Sequence, residues 1–426
     1  MVTVRRAYVY LVSGISLLAI AFALIILLQG LIPPGPVPTA TTLALQIAIV
    51  VIALPFFLVH WLWAQRSTRS DPEERSSLVR RLYLYVLLAV FLGAFLVYAF
   101  LLVQALLRIG LRVTPFASST PLENLIDAAI GLLILTPLWL YHHLTTGTDE
   151  RAAPAADLNA SVRRLYILGF SAVGLILTAW AASQLIRWLL YRFGGPAAPG
   201  GMGMVDAPID ELARLVAGAP LWVIFWLWVQ RLFQGPNEEE RASTLRKLYL
   251  YLVILISALG AVSTATIILA GILRGLMALP TSGDIRDPLC IAFTLAVVWA
   301  YHWRVLQRDA ATVAEGLLQA GIRRLYLYLV AAIGLGALLG GLAGDISVLI
   351  RTIAGDPFGS TLREPLAWFT AALVAGLPVW LLPWRSAQLT ADRPGPQGSD
   401  ERRSIVRKLY LYFYLFAASM TVLGSA

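Results

Sequence analysis

Three histidines recur at one position of a repeating pattern, and their imidazoles are the groups best suited to bind a cofactor. They are His60, His142 and His302, and each immediately precedes a second ring-bearing side chain. A buried and suitably oriented imidazole can be an axial ligand of haem iron or chlorophyll magnesium. Phe225 and Pro383 occupy this position in other repeats, so the set is incomplete. We therefore predict no cofactor, keep the three histidines as candidate ligands, and retain a haem or chlorophyll site as the alternative.

Carboxylates in the middle of an apolar helix would indicate ion coupling, because a charge in hydrocarbon is costly. The sequence instead places its carboxylates towards helix ends. Six lie at or near the starts of returning helices: Glu123, Asp127, Asp210, Glu211, Asp287 and Glu364. Arg108, Arg274 and Arg351 each follow the first basic residue of their repeat by 28 residues. We expect these arginines to pair with carboxylates at the outer face, and an anion or proton entry site is the alternative.

The sequence contains none of the short motifs that support common catalytic mechanisms. A P-loop, a Gly-x-Ser-x-Gly elbow and a His-Glu-x-x-His zinc motif are all missing. The single cysteine, Cys290, has no companion with which to form an intrachain disulfide or a metal site. We therefore predict a non-enzymatic protein without a metal site.

The elements that must position these residues are apolar helices in a tandem array. A basic pair opens each of six copies: Arg5 and Arg6, Arg80 and Arg81, Arg163 and Arg164, Arg246 and Lys247, Arg323 and Arg324, Arg407 and Lys408. Successive pairs start 75, 83, 83, 77 and 84 residues apart, which indicates a repeated supersecondary unit. After each pair comes an apolar run, and a helix of about 20 residues is enough to span hydrocarbon. Because 59% of the residues are hydrophobic and 13% charged, we predict an all-α integral membrane protein of tandem two-helix repeats.

Each complete repeat is predicted to contain an outgoing helix, an outer loop rich in Pro and Gly, and a returning helix. The predicted repeats are residues 1–78, 79–161, 162–244, 245–321, 322–405 and 406–426. Five complete repeats and the start of a sixth give about 11 transmembrane helices. We interpret the sixth repeat as truncated, and a genuine half-repeat is the alternative.

The basic residues are distributed unevenly along the chain. If the basic pairs face the cytoplasm, 24 of the 33 Lys and Arg residues lie at the N-terminus and in the inner loops. This asymmetry follows the positive-inside rule and predicts a cytoplasmic N-terminus. It also accounts for the net charge of +9 without a nucleic-acid partner. The arginine-rich composition favours a bacterial protein, so the predicted location is the bacterial cytoplasmic (inner) membrane.

Basic and aromatic residues near the inner helix ends are predicted to be anchors at the lipid headgroups. Arginine stems can snorkel to anionic phosphates, and amphipathic rings rest at headgroup depth. The predicted anchors are Arg80, Arg81, Tyr83, Arg163, Arg164, Tyr166, Arg246, Lys247, Tyr249, Arg323, Arg324, Tyr326, Trp61, Trp226, Trp303 and Trp384. Specific phospholipid binding is the alternative. The inner loops also carry Glu74, Glu240 and Glu401 ahead of a basic pair, where a carboxylate fits a capped helix start.

The repeated sequence motifs resemble those of a known family. A basic pair followed by Leu-Tyr-Leu-Tyr, a long apolar run and a returning helix that ends in Trp-x-x-x-Trp is similar to a bacterial membrane domain family of unknown function found in tandem copies. The resemblance implies a multi-pass helical membrane protein and transfers no catalytic or binding residue.

Three functions remain open on the sequence alone. The leading hypothesis is a structural or accessory subunit that packs against membrane lipids and against other membrane subunits or further copies of itself. It depends on the excess of interfacial anchors over intramembrane polar residues. The first alternative is a transporter or channel with a path between repeats. The second is a cofactor-binding subunit of a respiratory or photosynthetic complex.

Overall fold

The computed structural model describes residues 2–32, 38–113, 120–152, 157–195, 208–233, 240, 243–280, 283–312 and 317–425. Within these residues the regular structure is helical throughout. Eleven helices in this described part of the chain are long and apolar enough to cross a membrane. The predicted fold class, a multi-pass helical protein with about 11 candidate spans, is therefore confirmed.

The helices follow the repeats closely. Their bounds are α1 Val2–Leu31, α2 Ala40–Ser70, α3 Pro72–Arg75, α4 Leu78–Leu111, α5 Pro121–Ala152, α6 Asp157–Phe193, α7 Ile209–Phe233, α8 Thr244–Leu276, α9 Arg286–Thr312, α10 Leu317–Ile353, α11 Ser360–Ala391, α12 Pro396–Arg403 and α13 Ile405–Ser425. Each complete predicted repeat holds two long helices. The short helices α3 and α12 lie in the first and fifth inner loops.

The chain divides into two compact units. The first contains Met1–Ala181 and Ala207–Arg231, and the second contains Ala182–Asp206 and Leu232–Ala426. In the first unit α1 packs against α2, α4 and α5, and α4 packs against α5. In the second unit α8 packs against α9, α10 and α11, while α10 packs closely along α11 and also contacts α13.

Glycines set the closest helix crossings in the third and fifth repeats. A Cβ atom on Gly174 of α6 would lie 2.5 Å from the backbone nitrogen of Trp222 in α7. A Cβ atom on Gly334 of α10 would lie 2.4 Å from the backbone nitrogen of Trp380 in α11. Both glycines stand eleven residues after the first arginine of their repeat. Only a residue without a side chain permits this backbone approach, which is a common basis of helix packing in membranes.

Candidate functional site at the basic helix ends

The helix ends that carry the basic pairs, here called the basic ends, hold a network of buried polar side chains. In the first unit, α3 and the residues that flank it place Glu74 beside α1. The Nε atom of Arg6 donates to Oε2 of Glu74 at 2.6 Å, and the hydroxyl of Tyr10 donates to Oε1 at 3.4 Å. Arg6 and Tyr10 can share this carboxylate because they are four residues apart on one helical face. Ser77, and not the carboxylate, caps α4 by accepting from the backbone N–H of Arg80.

Arg80 is the centre of this network. Its side chain is 1% exposed, and it donates to Oδ2 of Asp149 at 2.7 Å, to the hydroxyl of Tyr10 at 3.2 Å and to Oε1 of Gln65 at 3.3 Å. The guanidinium also lies over the ring of Trp61, 5.6 Å from its centroid. A buried charge is tolerated when it is paired and its remaining donors are satisfied. We call Arg6, Tyr10, Gln65, Glu74, Arg80 and Asp149 the first polar cluster.

The second unit contains a matching arrangement, here called the second polar cluster. It consists of Arg324, Tyr328, Gln388, Glu401 and Arg407. Oε2 of Glu401 accepts from Arg324 at 2.9 Å, and Oε1 accepts from the hydroxyl of Tyr328 at 2.9 Å. Arg407 donates to that hydroxyl at 3.1 Å and to Gln388 at 3.0 Å. Each member stands at the repeat position of its counterpart in the first polar cluster, so the network is a property of the repeat.

The fourth repeat uses its first basic residue in the same way as the second repeat does. Arg246 donates from Nε to Asp309 at 2.6 Å and from Nη2 to the other carboxylate oxygen at 3.0 Å. This contact is bidentate, which is the stronger geometry of an arginine–carboxylate pair. Asp309 lies near the end of α9, and Asp149 lies near the end of α5. Both returning helices of the even repeats therefore supply a carboxylate to the basic pair that opens the same repeat.

Aromatic side chains form a layer against the first polar cluster. The indole N–H of Trp61 donates to the hydroxyl of Tyr141 at 2.8 Å, and the ring of Trp61 lies 5.4 Å from that of Tyr83. Tyr83 also contacts Tyr10, with 5.2 Å between ring centroids. Aromatic pairs at these separations stabilise a fold by more than the burial of their apolar area alone. Trp61 and Tyr83, two of the predicted anchors, are thus 4% and 7% exposed and belong to the protein core.

His142 lies in this aromatic layer and is 1% exposed. Its ring centroid is 5.9 Å from that of Trp61 and 5.7 Å from that of Phe91, and its Nδ1 donates to the carbonyl of Leu138 at 2.8 Å. The Nε2 atom of His142 and the hydroxyl of Tyr83 are buried, and neither has a hydrogen-bond partner in the described part of the chain. Buried polar atoms of this kind are uncommon and call for an explanation.

The other two candidate histidines have different surroundings. His60 is half-buried on α2, bonds the carbonyl of Phe56 at 2.8 Å, and faces Tyr8 with 5.5 Å between ring centroids. His302 is 0% exposed in the second unit, where Nδ1 bonds the carbonyl of Val298 at 2.9 Å and the ring lies 6.2 Å from that of Tyr249. Among the described residues, no three His, Cys, Asp or Glu side chains are grouped so that they could hold a metal ion.

A tryptophan and tyrosine contact joins consecutive repeats. The indole N–H of Trp139 donates to the hydroxyl of Tyr166 at 3.3 Å, and that of Trp380 donates to Tyr410 at 3.1 Å. Trp299 makes the same bond to Tyr326. In every case the tyrosine stands three residues after the first basic residue of the following repeat. The first tyrosine of the Leu-Tyr-Leu-Tyr motif is therefore a point of attachment between repeats.

The predicted lipid anchors divide into a buried and a half-buried group. The buried group is Arg80, Arg81, Tyr83, Arg164, Tyr166, Arg246, Lys247, Tyr249, Trp61 and Trp226. The half-buried group is Arg163, Arg323, Arg324, Tyr326, Trp303 and Trp384. Protein carboxylates contact Arg80, Arg246 and Arg324, for which the sequence predicts contact with lipid phosphates. The reason is that the inner loops and returning helices bring Asp149, Asp309 and Glu401 within bonding distance. Lipid contact by the half-buried group stays a prediction.

The opposite helix ends also carry ion pairs. Arg108 pairs with Asp210 at 3.1 Å, and Gln104 donates to the same carboxylate at 2.8 Å. Arg274 pairs with Glu364 and also donates to the carbonyl of Pro280 at 2.9 Å. Arginine and carboxylate pairs of the kind expected from the sequence are thus present at these ends.

Comparison with known proteins gives one result. A family described as a domain of unknown function (DUF5671) matches residues 6–136, 164–301 and 324–426. The three matched segments begin at Arg6, Arg164 and Arg324, the second basic residues of the first, third and fifth repeats. No curated protein and no solved structure matches the chain. Because the three segments cover most of the sequence, the chain belongs to the DUF5671 family and carries the family's domain three times.

Proposed function

We propose that this protein is a non-enzymatic structural or accessory subunit of the bacterial inner membrane, and that it packs against partner membrane proteins and lipids. One observation carries the proposal. Arg80, the most buried charge of the first polar cluster, is 1% exposed and contacts groups from the first and second repeats. A charge used in this way holds neighbouring repeats in register.

Buried ion pairs are a better device for specifying one arrangement than for adding stability, because desolvation offsets much of their attraction. The second polar cluster repeats this arrangement with Arg324, Glu401 and Arg407. Together with the contact between Trp380 and Tyr410, these bonds fix how one hairpin of helices lies against the next. Rigid positioning of repeats supports a scaffold role.

The surface of α2 is a candidate partner interface. Only 6% of its most apolar stretch is buried within the protein, and Val51, Leu58 and Leu62 are 63%, 44% and 51% exposed. By contrast, 39% of the corresponding stretch of α1 is buried. An apolar helix face that its own chain leaves uncovered is available to lipid or to another membrane protein.

The cellular location is part of the same proposal. The basic ends hold most of the arginines, so the positive-inside rule supports a cytoplasmic location for these ends and for the N-terminus. The composition supports a bacterial origin. Under this proposal the two polar clusters lie at the cytoplasmic face of the inner membrane.

The test is site-specific photocrosslinking in the native membrane, followed by purification in a mild detergent and mass identification. A photoreactive residue at Val51 is expected to capture a discrete membrane protein. The matched control is the same residue at Phe91, which is 0% exposed and should give adducts within the chain only. Purification as a lone protein, with lipid adducts alone at Val51, would overturn the proposal.

The second candidate function is transport along a path between repeats. It is favoured by the buried Nε2 atom of His142 and the buried hydroxyl of Tyr83, which lack partners in the described residues. Both side chains pack against Trp61, whose ring also contacts the guanidinium of Arg80. Ionisable groups within membrane spans often mark ion or substrate routes. Flux in liposomes that stops on His142→Phe would replace the scaffold proposal with this one.

A further inference from the structure

A cavity of about 330 Å³ opens at the basic ends of the first unit, on the side of α5 that faces α6 and α7. We call it the Glu150 pocket. It is lined by Tyr85, Leu88, His143, Thr146, Gly147, Glu150, Arg151, Tyr166 and Trp228. Its volume falls at the lower end of the range of roughly 300–1,000 Å³ typical of small-ligand sites. The scaffold role accounts for the polar clusters but not for this cavity.

The charge around the Glu150 pocket is positive. Glu150 accepts from the hydroxyl of Tyr85 at 2.6 Å and lies 3.5 Å from both Arg81 and Arg163. Arg151 is exposed on the rim of the pocket. Three arginines against one carboxylate leave an excess of two positive charges. The neighbouring Asp149 does not offset this excess, because it already pairs with Arg80 and Arg75.

The rest of the lining suits a group that is polar at one end and apolar at the other. Trp228 packs edge-on against His143 with 6.1 Å between ring centroids, and Tyr85 lies 5.3 Å from Tyr166. These rings can donate hydrogen bonds and also offer apolar faces, a combination typical of headgroup depth. Leu88 adds an apolar wall.

We propose that the Glu150 pocket binds the phosphate headgroup of an anionic phospholipid. Basic pockets between membrane helices on the cytoplasmic side are suited to such headgroups, and an arginine is well shaped to bind a phosphate. A cationic headgroup is disfavoured because two arginines already neutralise Glu150. Free phosphate shares the same chemistry, but the aromatic and apolar walls favour the lipid. The inference rests on the membrane role proposed above and names a lipid partner for it.

The experiment measures lipid binding to the full-length purified protein by native mass spectrometry in a mild detergent. Phosphatidylglycerol, phosphatidylcholine and inorganic phosphate are titrated separately. We expect phosphatidylglycerol to bind more tightly than phosphatidylcholine, and Arg151→Gln to weaken phosphatidylglycerol binding about tenfold through loss of a charge-assisted contact. The matched control is Arg66→Gln, which removes an exposed arginine of the first unit outside the pocket and should leave binding unchanged.

A second variant tests the sign of the charge. Glu150→Gln raises the positive excess, so it should strengthen phosphatidylglycerol binding, whereas a cationic ligand would be lost. Equal binding of both lipids, or weaker phosphatidylglycerol binding in Glu150→Gln, would overturn the proposal. Displacement of the lipid by millimolar phosphate would assign the site to free phosphate. If Arg151→Gln loses the lipid but keeps the protein adduct at Val51, the pocket and the scaffold role are established separately.

Discussion

Arg80 and Asp149 face each other across 2.7 Å although 69 residues separate them, and their side chains are 1% and 8% exposed. The pair joins the start of α4 to the last turns of α5. It therefore closes the second repeat at its basic end, and the contacts of Arg80 with Tyr10 and Gln65 attach that repeat to the first.

Removing one partner of this pair should be more harmful than removing both. Asp149→Asn leaves a buried guanidinium without its counter-charge, and we expect it to lower the free energy of unfolding by about 3–5 kcal/mol. The double variant Arg80→Met with Asp149→Leu should be less destabilised, because it leaves no buried charge. Unfolding in mixed detergent, followed by circular dichroism, measures both. A double variant that is as unstable as the sum of its single changes would contradict the pairing.

The helices and their order could be predicted from the sequence, whereas the role of the basic pairs could not. Long apolar runs such as the one after Arg80 specify spanning helices on hydropathy alone. The sequence pattern does not distinguish the two members of each basic pair, but in the structure they bind different carboxylates. In the first and fifth repeats the second basic residue, Arg6 or Arg324, pairs with a carboxylate of the inner loop. In the second and fourth repeats the first basic residue, Arg80 or Arg246, pairs with an aspartate of the returning helix. Arg81 and Arg163 instead share Glu150.

The carboxylate partners were missed for a physical reason. Asp149 and Asp309 lie near the ends of returning helices that are far along the chain from their arginines, and no local pattern connects them. The position eleven residues after the first basic residue does not separate odd from even repeats, because Ser16 and Ser257 occupy it in the first and fourth repeats. The family match does take the repeats in pairs, since each matched segment begins at the second basic residue of an odd repeat.

Replacing the tyrosine of either polar cluster by Phe should lower the free energy of unfolding by a similar, modest amount. The hydroxyl of Tyr328 bridges Glu401 and Arg407, as that of Tyr10 bridges Glu74 and Arg80. Replacing either tyrosine by Phe removes hydrogen bonds to charged groups, so we expect each change to cost about 1.5–3 kcal/mol of unfolding free energy. Tyr8→Phe is the control, because Tyr8 is 56% exposed. If Tyr10→Phe lowers the free energy of unfolding and Tyr328→Phe does not, the two clusters are not equivalent.

A methyl group at the crossing of α6 and α7 should force the two helices apart. In Gly174→Ala the new Cβ would lie 2.5 Å from the backbone nitrogen of Trp222, and overpacking of this kind costs about 1–3 kcal/mol. Gly169→Ala, in the same helix, meets no atom within 4 Å and should be neutral or stabilising. The two variants are compared by thermal unfolding in one detergent. Equal unfolding temperatures would mean that α6 and α7 tolerate a wider separation.

Reversing the charge of one basic pair should disturb membrane orientation. Arg80→Glu with Arg81→Glu lowers the net charge of one inner loop by four units. It also places new carboxylates beside Asp149 and Glu150. We expect misoriented chains in a reporter-fusion assay that distinguishes the two sides of the membrane. The control, Arg66→Glu with Arg69→Glu, changes the same loop by the same charge without touching the polar cluster. Normal orientation of both variants would contradict the cytoplasmic assignment of the basic ends.

His142 separates the scaffold and transport hypotheses. Its Nε2 atom is buried without a partner in the described residues, and its ring packs among Trp61, Tyr83 and Phe91. If the ring serves packing alone, His142→Phe removes an unsatisfied polar atom and should be neutral or stabilising. His142→Ala leaves a cavity and should cost about 2–5 kcal/mol, as other large-to-small changes in a core do. Wild-type stability with lost flux in His142→Phe liposomes would show that the imidazole, and not its volume, is what the protein uses.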